Sequence, residues 1–581
     1  MQMINRQGEH HLPVPQWAVL GFCLLLAFTI ASCRQFDASD YLRIGLIAEP
    51  KTLHVWLASD RNSRKILSLI YQPLYTRDPV TLEQVPWLAA DKPVYDPENI
   101  SYTIKLRPAR WSDGSEVTSD DVAFTGQLIK SFKIPRRYSR WKFIKKIATP
   151  DKRTVVFYLK SPQAIFTTRT LTTPIVPRKQ WQPIAEAARK KEKPLAALLN
   201  HPIYHPLGCG PFVLKEWRKG TYLHLKKNPY FFGSHTKIAG RSLGPYINDL
   251  LFKIYGTSDV AILALKKGTI DMFWWPLQPG YIRDLSKDPH IQLFINQKSA
   301  LYFMGFNLRR PPFNDVKLRQ ALATIIDKKF ITHRILQGQG VPMYSIVPAE
   351  NRFWCCDTVA RYGDGLSREN RIKKAYKILT GAGYTWDVPP VDSDGNVGPA
   401  RGLRLPDGNL MDRFTILTPP ADYDPLRAMS GMMIQQWFRA MGMPAYARPM
   451  AFGALLNKIK TEHDFDTFIL GYGNLSLDPD YVRVFFYSKN DKPRGWNMSG
   501  YHNSDFDKIA RASRSAMIPT ERQKLIYRMQ ELVIAAVPYL PLYKPSVIEA
   551  VRNERFTGWV NMLEGIGNIW SFCEVKPVTA D

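Results

Sequence analysis

Apolar and polar positions along this chain fall into two alternating periods. The clearest instance is the stretch LYFMGFNLRRPPFNDVKLRQALATIIDK, residues 301–328. Residues 301–307 are apolar and aromatic, which suits a buried strand. Arg309-Arg310-Pro311-Pro312 ends it, because proline has no N–H and restricts the residue before it. Asn314 is the expected N-cap of a helix, with Asp315 in the first turn, where the helix dipole favours a negative charge. Leu318, Leu322 and Ile325 then fall at i, i+4 and i+7, and Lys317, Arg319, Gln320 and Lys328 take the other face.

The same reading places other elements in order. Residues 41–50 are a first strand with a turn at Glu49-Pro50, and residues 102–106 alternate like a strand. Asp113-Gly114 signals a turn, and Ser119 is the expected N-cap of a helix with Asp120 and Asp121 in its first turn. Residues 212–217 and 221–226 form a hairpin across Arg218-Lys219-Gly220. Residues 371–384 are a helix closed by Gly381 and Gly383, and the Gly-, Asp- and Pro-rich residues 392–407 are a loop. Residues 426–441 carry a helical apolar stripe with several methionines. Residues 467–470 are a strand. A helix over 520–536 starts at a Thr520/Gln523 capping box and stops at Pro538, and a strand follows over 538–543.

The N-terminus changes the picture of where the chain works. Residues 17–30 are uncharged and mostly apolar, short of the roughly 20 residues a helix needs to cross a bilayer, so residues 1–32 are expected to be a signal peptide. The run ends Ile30-Ala31-Ser32-Cys33, a lipobox-like tetrapeptide that makes Cys33 the expected lipid-attachment site. Beyond the leader no second long apolar run occurs, and four cysteines remain, Cys209, Cys355, Cys356 and Cys573, whose pairing stays open. Hydrophobic residues make up 45% of the chain, enough for a large packed core and against disorder.

The net charge is +28, and the leader, with one Arg and one Glu, does not cause it. Such a surface is drawn to anionic headgroups, polymers or ligands. The charge is densest over residues 130–153, which hold ten Lys or Arg and one Asp around Phe132, Tyr138, Trp141 and Phe143. Cations among aromatics can bind single-stranded nucleic acid, but no nucleic-acid motif accompanies them. A solvated basic face with inward aromatics is the expected arrangement. Enzyme signatures are equally thin. Ser139 and Lys142 match an SxxK pattern without its partner KTG motif, and there is no HExxH, GxSxG or phosphate-cradling glycine loop. No cofactor, no metal site and no enzyme activity are expected.

Several phrases, in order, resemble the family 5 bacterial extracellular solute-binding proteins, the peptide-binding subunits of ABC importers. They are YLRIGLIAEPKTLHVW, PWLA at Pro86–Ala89, RWSDGSEVTSDDVAF from residue 110, PLGCGPFVLKEWRKGTYLHLKKNPYFFG from residue 206, LALKKGTID from residue 263, the 301–328 stretch, and GYGNLSLDPD from residue 471. The resemblance implies an α/β, two-lobed periplasmic-binding-protein-like fold of type II, of the large peptide-binder class. It would comprise lobe one in segments 33–54, 206–306 and 545–581, with an extra subdomain over 55–205, and lobe two over 307–544. It implies an oligopeptide ligand held in an interlobe cleft by hinge closure, delivery to an ABC permease with its ATPases, an extracytoplasmic, lipid-anchored bacterial location, and a monomer that binds no nucleic acid. Other solutes (metal chelate, haem or sugar), or a basic surface protein holding anionic polymer, are the alternatives.

The resemblance also implies a contact set: Glu49 at the first strand tip, Trp274 and Trp275, the loop Tyr472, Gly473, Asn474, Leu475, Ser476 and Asp478, and Trp496 with Asn497. In well-studied peptide binders of the family an acid in this loop pairs with the ligand's α-ammonium. That position here is Leu475, which cannot. Asp478, by proximity, or Asp480 is then the expected partner of a ligand amine, unless both cap the following helix.

Overall fold

The computed structural model describes residues 41–578. The leader and Cys33 therefore lie outside the described residues. Twelve strands build one mixed sheet: β1 (Tyr41–Leu46), β2 (Phe212–Arg218), β3 (Tyr222–Lys227), β4 (Asp249–Ile254), β5 (Met272–Phe273), β6 (Ile291–Gln297), β7 (Leu301–Phe306), β8 (Gly340–Pro342), β9 (Phe414–Thr418), β10 (Ala445–Pro449), β11 (Thr467–Tyr472) and β12 (Tyr539–Arg552). Their order is β10-β9-β11-β7-β12-β5-β1-β4-β3-β2, with β6 and β8 also pairing β12.

The strand expected over 538–543 is longer than its first apolar half suggests. β12 runs unbroken to Arg552 and serves both halves of the sheet. Its start pairs with β7, from Gly305↔Tyr539 to Tyr302↔Tyr543. Its end pairs with β6, from Gln297↔Ser546 to Ile291↔Arg552. Only Lys298-Ser299-Ala300 separates β6 from β7, so two neighbouring stretches of chain carry the connection between the halves.

β7 shows why its sequence is nearly all apolar. Leu301 and Phe303 enter one core while Met304 and Phe306 enter the other, so both faces are buried. The helix that follows, Val316–Ile325, is capped one residue later than expected. Asp315, not Asn314, accepts from Lys317 N at 2.8 Å. Two residues assigned to its polar side are buried instead. Arg319 donates to the carbonyls of Phe313 and Ala536 at 2.6–2.9 Å, and Lys328 Nζ donates to Met343 O at 2.9 Å. Periodicity marks a face but not what covers it, and here neighbouring carbonyls satisfy the cations.

A separate four-stranded antiparallel sheet is built from Val94–Asp96, Ser101–Lys105, Thr154–Leu159 and Ile144–Asp151. The helix Ser119–Ser131 packs on it. Its N-cap is Thr118 rather than Ser119, and Asp121 Oδ2 accepts from Thr118 N at 2.9 Å. The basic stretch lies here as expected, with Phe132, Trp141 and Phe143 buried, Tyr138 half-buried, and Lys133, Arg136, Lys142, Lys145 and Lys146 exposed.

Two further expectations shift. Arg401–Arg404 inside the 392–407 loop pairs with Thr385–Val388. The last long helix, Pro519–Ala536, has Ile518 at its N-cap and no capping box, because it begins one residue before Thr520, and Gln523 Nε2 donates to Phe353 O. Cys209, Cys355, Cys356 and Cys573 are all free thiols.

Candidate ligand-binding site

The two halves meet where the β6–β7 connection faces the loop after β11. Leu475 N donates to Ser299 O at 2.7 Å, which draws that loop onto the connection, and the Leu475 side chain is buried in the core beneath. Leucine at this place is therefore a packing residue. At Gly471 a Cβ would lie 2.6 Å from the Tyr302 ring, so only glycine fits. At Gly473 it would lie 3.5 Å from Lys298 Nζ, which places that ammonium over the loop. Tyr472 points inward, stacked between Phe303 and Phe485 at ring distances of 5.5 and 4.5 Å. Asn474 is exposed, and the Ser476 hydroxyl accepts from Asp478 N at 3.3 Å.

Asp478 is not free to meet a ligand amine. Its carboxylate takes a forked pair from Arg522 at 2.8 Å on each oxygen, the Thr168 hydroxyl at 2.6 Å, and Asp480 N at 3.0 Å. Burial alone would raise its pKa. The Arg522 guanidinium and these hydrogen bonds outweigh that and hold it below the ordinary carboxylate value. Asp480 is likewise taken by Arg483 at 2.7 and 2.9 Å, with Arg169 at 3.9 Å. The expectation of an amine partner at either position is corrected on these grounds. What the pair does instead is tie this loop to residues 168–169 of the segment that carries the smaller sheet. Arg514 reinforces the tie, its Nε donating to Gln163 Oε1 at 3.1 Å and its carbonyl accepting from Ala164 N at 3.0 Å.

Other expected contacts are also engaged. Glu49 accepts from Trp217 Nε1 at 3.2 Å and Gly220 N at 3.0 Å, bracing the β2–β3 turn. Asn497 is buried and holds Tyr501 through both its N–H and its carbonyl. Trp496 remains 45% exposed, with Lys460 Nζ 3.8 Å from its ring centroid. Trp274 is buried against Phe252 and Phe572, while Trp275 is half-buried under Arg61, 5.2 Å from its ring.

Around these tryptophans lies a charged cluster that sequence reasoning missed. Helix α1 (Arg61–Ile70), capped by Asp60, brings Arg61 and Lys65 to one face at i and i+4. Both approach Glu549 Oε1, on β12, at 3.5 and 3.9 Å. The other Glu549 oxygen accepts from Ile566 N at 2.6 Å and Gly567 N at 3.3 Å. Gly565, at φ +110°, is required there, since a Cβ would lie 2.1 Å from that oxygen. Glu564 completes the ring. It sits in left-handed backbone at φ +76°, and its carboxylate accepts from Ser299 N at 2.8 Å. Such strain is kept only where the surroundings enforce it.

Burial lowers the Lys65 pKa to about 7 against the pull of Glu549, lowers that of Lys298 against Glu564, and raises that of Glu564 against the Ser299 N–H and Lys298. Five buried polar atoms of this region have no hydrogen-bond partner: Lys65 Nζ, Trp274 Nε1, Asn296 Nδ2, Gln297 Oε1 and Glu549 Oε1. Buried polar atoms are normally satisfied, by protein or by internal water, so these groups call for a partner beyond the neighbouring side chains. The signal in the sequence was only the i, i+4 spacing of Arg61 and Lys65, which any solvated helix face shares.

Among the described residues no helix is long and apolar enough to cross a membrane, and no group of three His, Cys, Asp or Glu is placed to hold a metal ion. The oligopeptide-binding protein AppA of Bacillus subtilis is 26% identical over 87% of this chain and 86% of its own. Its structure with a nonapeptide superposes with a TM-score of 0.64 at 23% identity, covering 93% of this chain and 99% of that one. The structure of NikZ from Campylobacter jejuni with Ni(L-His) gives 0.67 at 22% identity, with the same coverage. The twelve-stranded mixed sheet is thus that of the two-lobed periplasmic binding proteins. The model for the bacterial extracellular solute-binding proteins, family 5, matches residues 83–494, and the chain belongs to that family, whose members are substrate-binding proteins of ABC transporters and not enzymes.

Proposed function

We propose that this protein captures oligopeptides at the seam between its lobes and hands them to an ABC permease. The observation that carries the reading is the set of orphaned donors and acceptors beside the β6–β7 connection. A peptide main chain presents N–H and C=O groups in alternation and can satisfy both kinds, while Trp275 offers apolar wall. AppA, a relative over most of the chain, is named for oligopeptide binding and holds a nonapeptide in its structure. The lobes move about residues 298–300 and the midpoint of β12, so the lobe limits near 306/307 and 544/545 are part of the same proposal. A second reading, a non-peptide solute such as a metal chelate, is favoured by the Ni(L-His) in the NikZ structure.

Native mass spectrometry of protein purified from its own host distinguishes the two. Co-purified peptide supports the first reading. A bound species without peptide masses, together with no heat on titration with peptide mixtures, overturns it. The leader gives a second expectation: Cys33→Ala releases the protein from the membrane fraction or leaves it unprocessed. Processing and membrane retention as in the parent would rule out Cys33 as the lipid site.

A further inference from the structure

We infer that Arg61, Lys65 and Lys298 form a subsite for a carboxylate of the ligand, a role for these residues that rests on the peptide reading above. Among the described residues, three cations from two separate elements, α1 and the β6–β7 connection, face two carboxylates, Glu549 and Glu564. The cluster therefore carries one positive charge in excess when all five groups are ionised. The geometry inside it is unfinished. Arg61 and Lys65 stand 3.5 and 3.9 Å from Glu549 Oε1, at or beyond the limit of a hydrogen bond. Lys65 Nζ is buried without an acceptor, and Trp274 Nε1, whose ring lies 4.7 Å from that ammonium, is a second buried donor without one. Leaving a buried ammonium without an acceptor is costly, so the site gains from any anion that completes it. A carboxylate supplies acceptor oxygens and one negative charge, which matches the orphaned Lys65 ammonium and one excess cation.

The position suits a ligand held between the lobes. Lys298 lies over Gly473 of the β11 loop on one side and interacts with Glu564 on the other, so an anion here touches both halves at once. The groups facing Lys65 are Glu549 from β12, Glu564 from the loop that follows β12, Arg61 from its own helix and Trp274. Because burial brings the Lys65 ammonium to about pH 7, any recognition of a carboxylate weakens as pH rises through 7 and strengthens below it.

The test is titration calorimetry with one peptide that the parent binds, in three forms: free C-terminus, C-terminal amide, and the amide carrying a single Glu side chain. The expected result is a preference of about tenfold or more for a carboxylate-bearing form, fading above pH 8. The preferred form tells whether the terminus or a side chain supplies the group. Lys65→Met and Lys298→Met should each narrow that preference to within about threefold, and Lys65→Arg should restore part of it. Thermal melting shows whether each variant folds. If Lys65→Met does not, Lys298→Met and Arg61→Gln read the same contrast. Equal affinity for all three forms in the parent overturns the subsite while leaving peptide capture intact, and the orphaned atoms then belong to internal water. A preference that survives all the variants overturns it as well. Failure of every peptide to bind the parent removes the peptide reading and this inference together.

Discussion

At the scale of single residues, the acids of the 471–480 loop are occupied by protein partners. Asp478 and Arg522 are almost fully buried and paired through two hydrogen bonds. Removing one partner of a buried pair strands the other charge in a medium that cannot solvate it, at a cost of about 3–5 kcal/mol. Asp478→Ala should therefore lower stability by that amount in urea unfolding, and a change below about 1 kcal/mol would contradict the pairing. The sign with pH follows from the depressed carboxylate. Its contribution is present above the unfolded value near 4 and is lost as pH falls through the lower folded value. The parent should lose stability on acidification more steeply than Asp478→Ala. Leu475 makes the complementary point. An apolar residue where the family resemblance implies an acid looks like a lost function in the sequence, yet its side chain is buried in the core while its N–H reaches Ser299.

At the scale of elements, the helices and strands that the sequence pattern named are present, several with shifted ends, while others such as Asp249–Ile254, Ile291–Gln297 and Arg61–Ile70 went unnamed. The helix Val316–Ile325 begins at Asp315, whose carboxylate accepts from Lys317 N and from the Tyr384 hydroxyl at 2.7 Å. Asn314 and Asp315 are both good caps by type, and only the Tyr384 ring, supplied from a distant part of the chain, favours the second. Asp315→Ala should cost about 1–2 kcal/mol and Asn314→Ala less than about 0.5 kcal/mol, measured by chemical denaturation. Equal effects would place the cap wrongly. The capping box expected at Thr520 fails because the helix starts earlier, with Ile518 at its N-cap and Pro519 in its first position, which leaves Thr520 inside the first turn.

At the scale of the whole molecule, the +28 charge and the seam are separate features. The exposed Lys133, Arg136, Lys142, Lys145 and Lys146 belong to the segment of the smaller sheet, and the structure gives none of them a contact with the cluster around Lys65. Reversing several of these charges should leave peptide affinity within a few-fold by calorimetry. It should also weaken binding to anionic vesicles, an association that salt suppresses in the parent. A large loss of peptide affinity at physiological salt would show that this face belongs to the ligand site.

The linear chain by itself determined the fold class. Ordered phrases from residue 41 onward carry the family resemblance that implies it, while the strand-length apolar runs and amphipathic helices by themselves say only that strands and helices share a large core. It also determined the inward aromatics of the basic stretch, because Phe132, Trp141 and Phe143 have no other route out of water. Only the tertiary structure decided which polar residues are free for a ligand. Asp478 and Glu49 look available in the sequence and are engaged by residues far along the chain, and Asn497 is turned inward onto Tyr501. Arg61, Lys65, Lys298, Glu549 and Glu564 look like ordinary surface charges and converge. Periodicity reports how a segment meets a core, but whether a buried charge finds its partner depends on elements hundreds of positions apart. That information exists only once β12 has brought the two halves together.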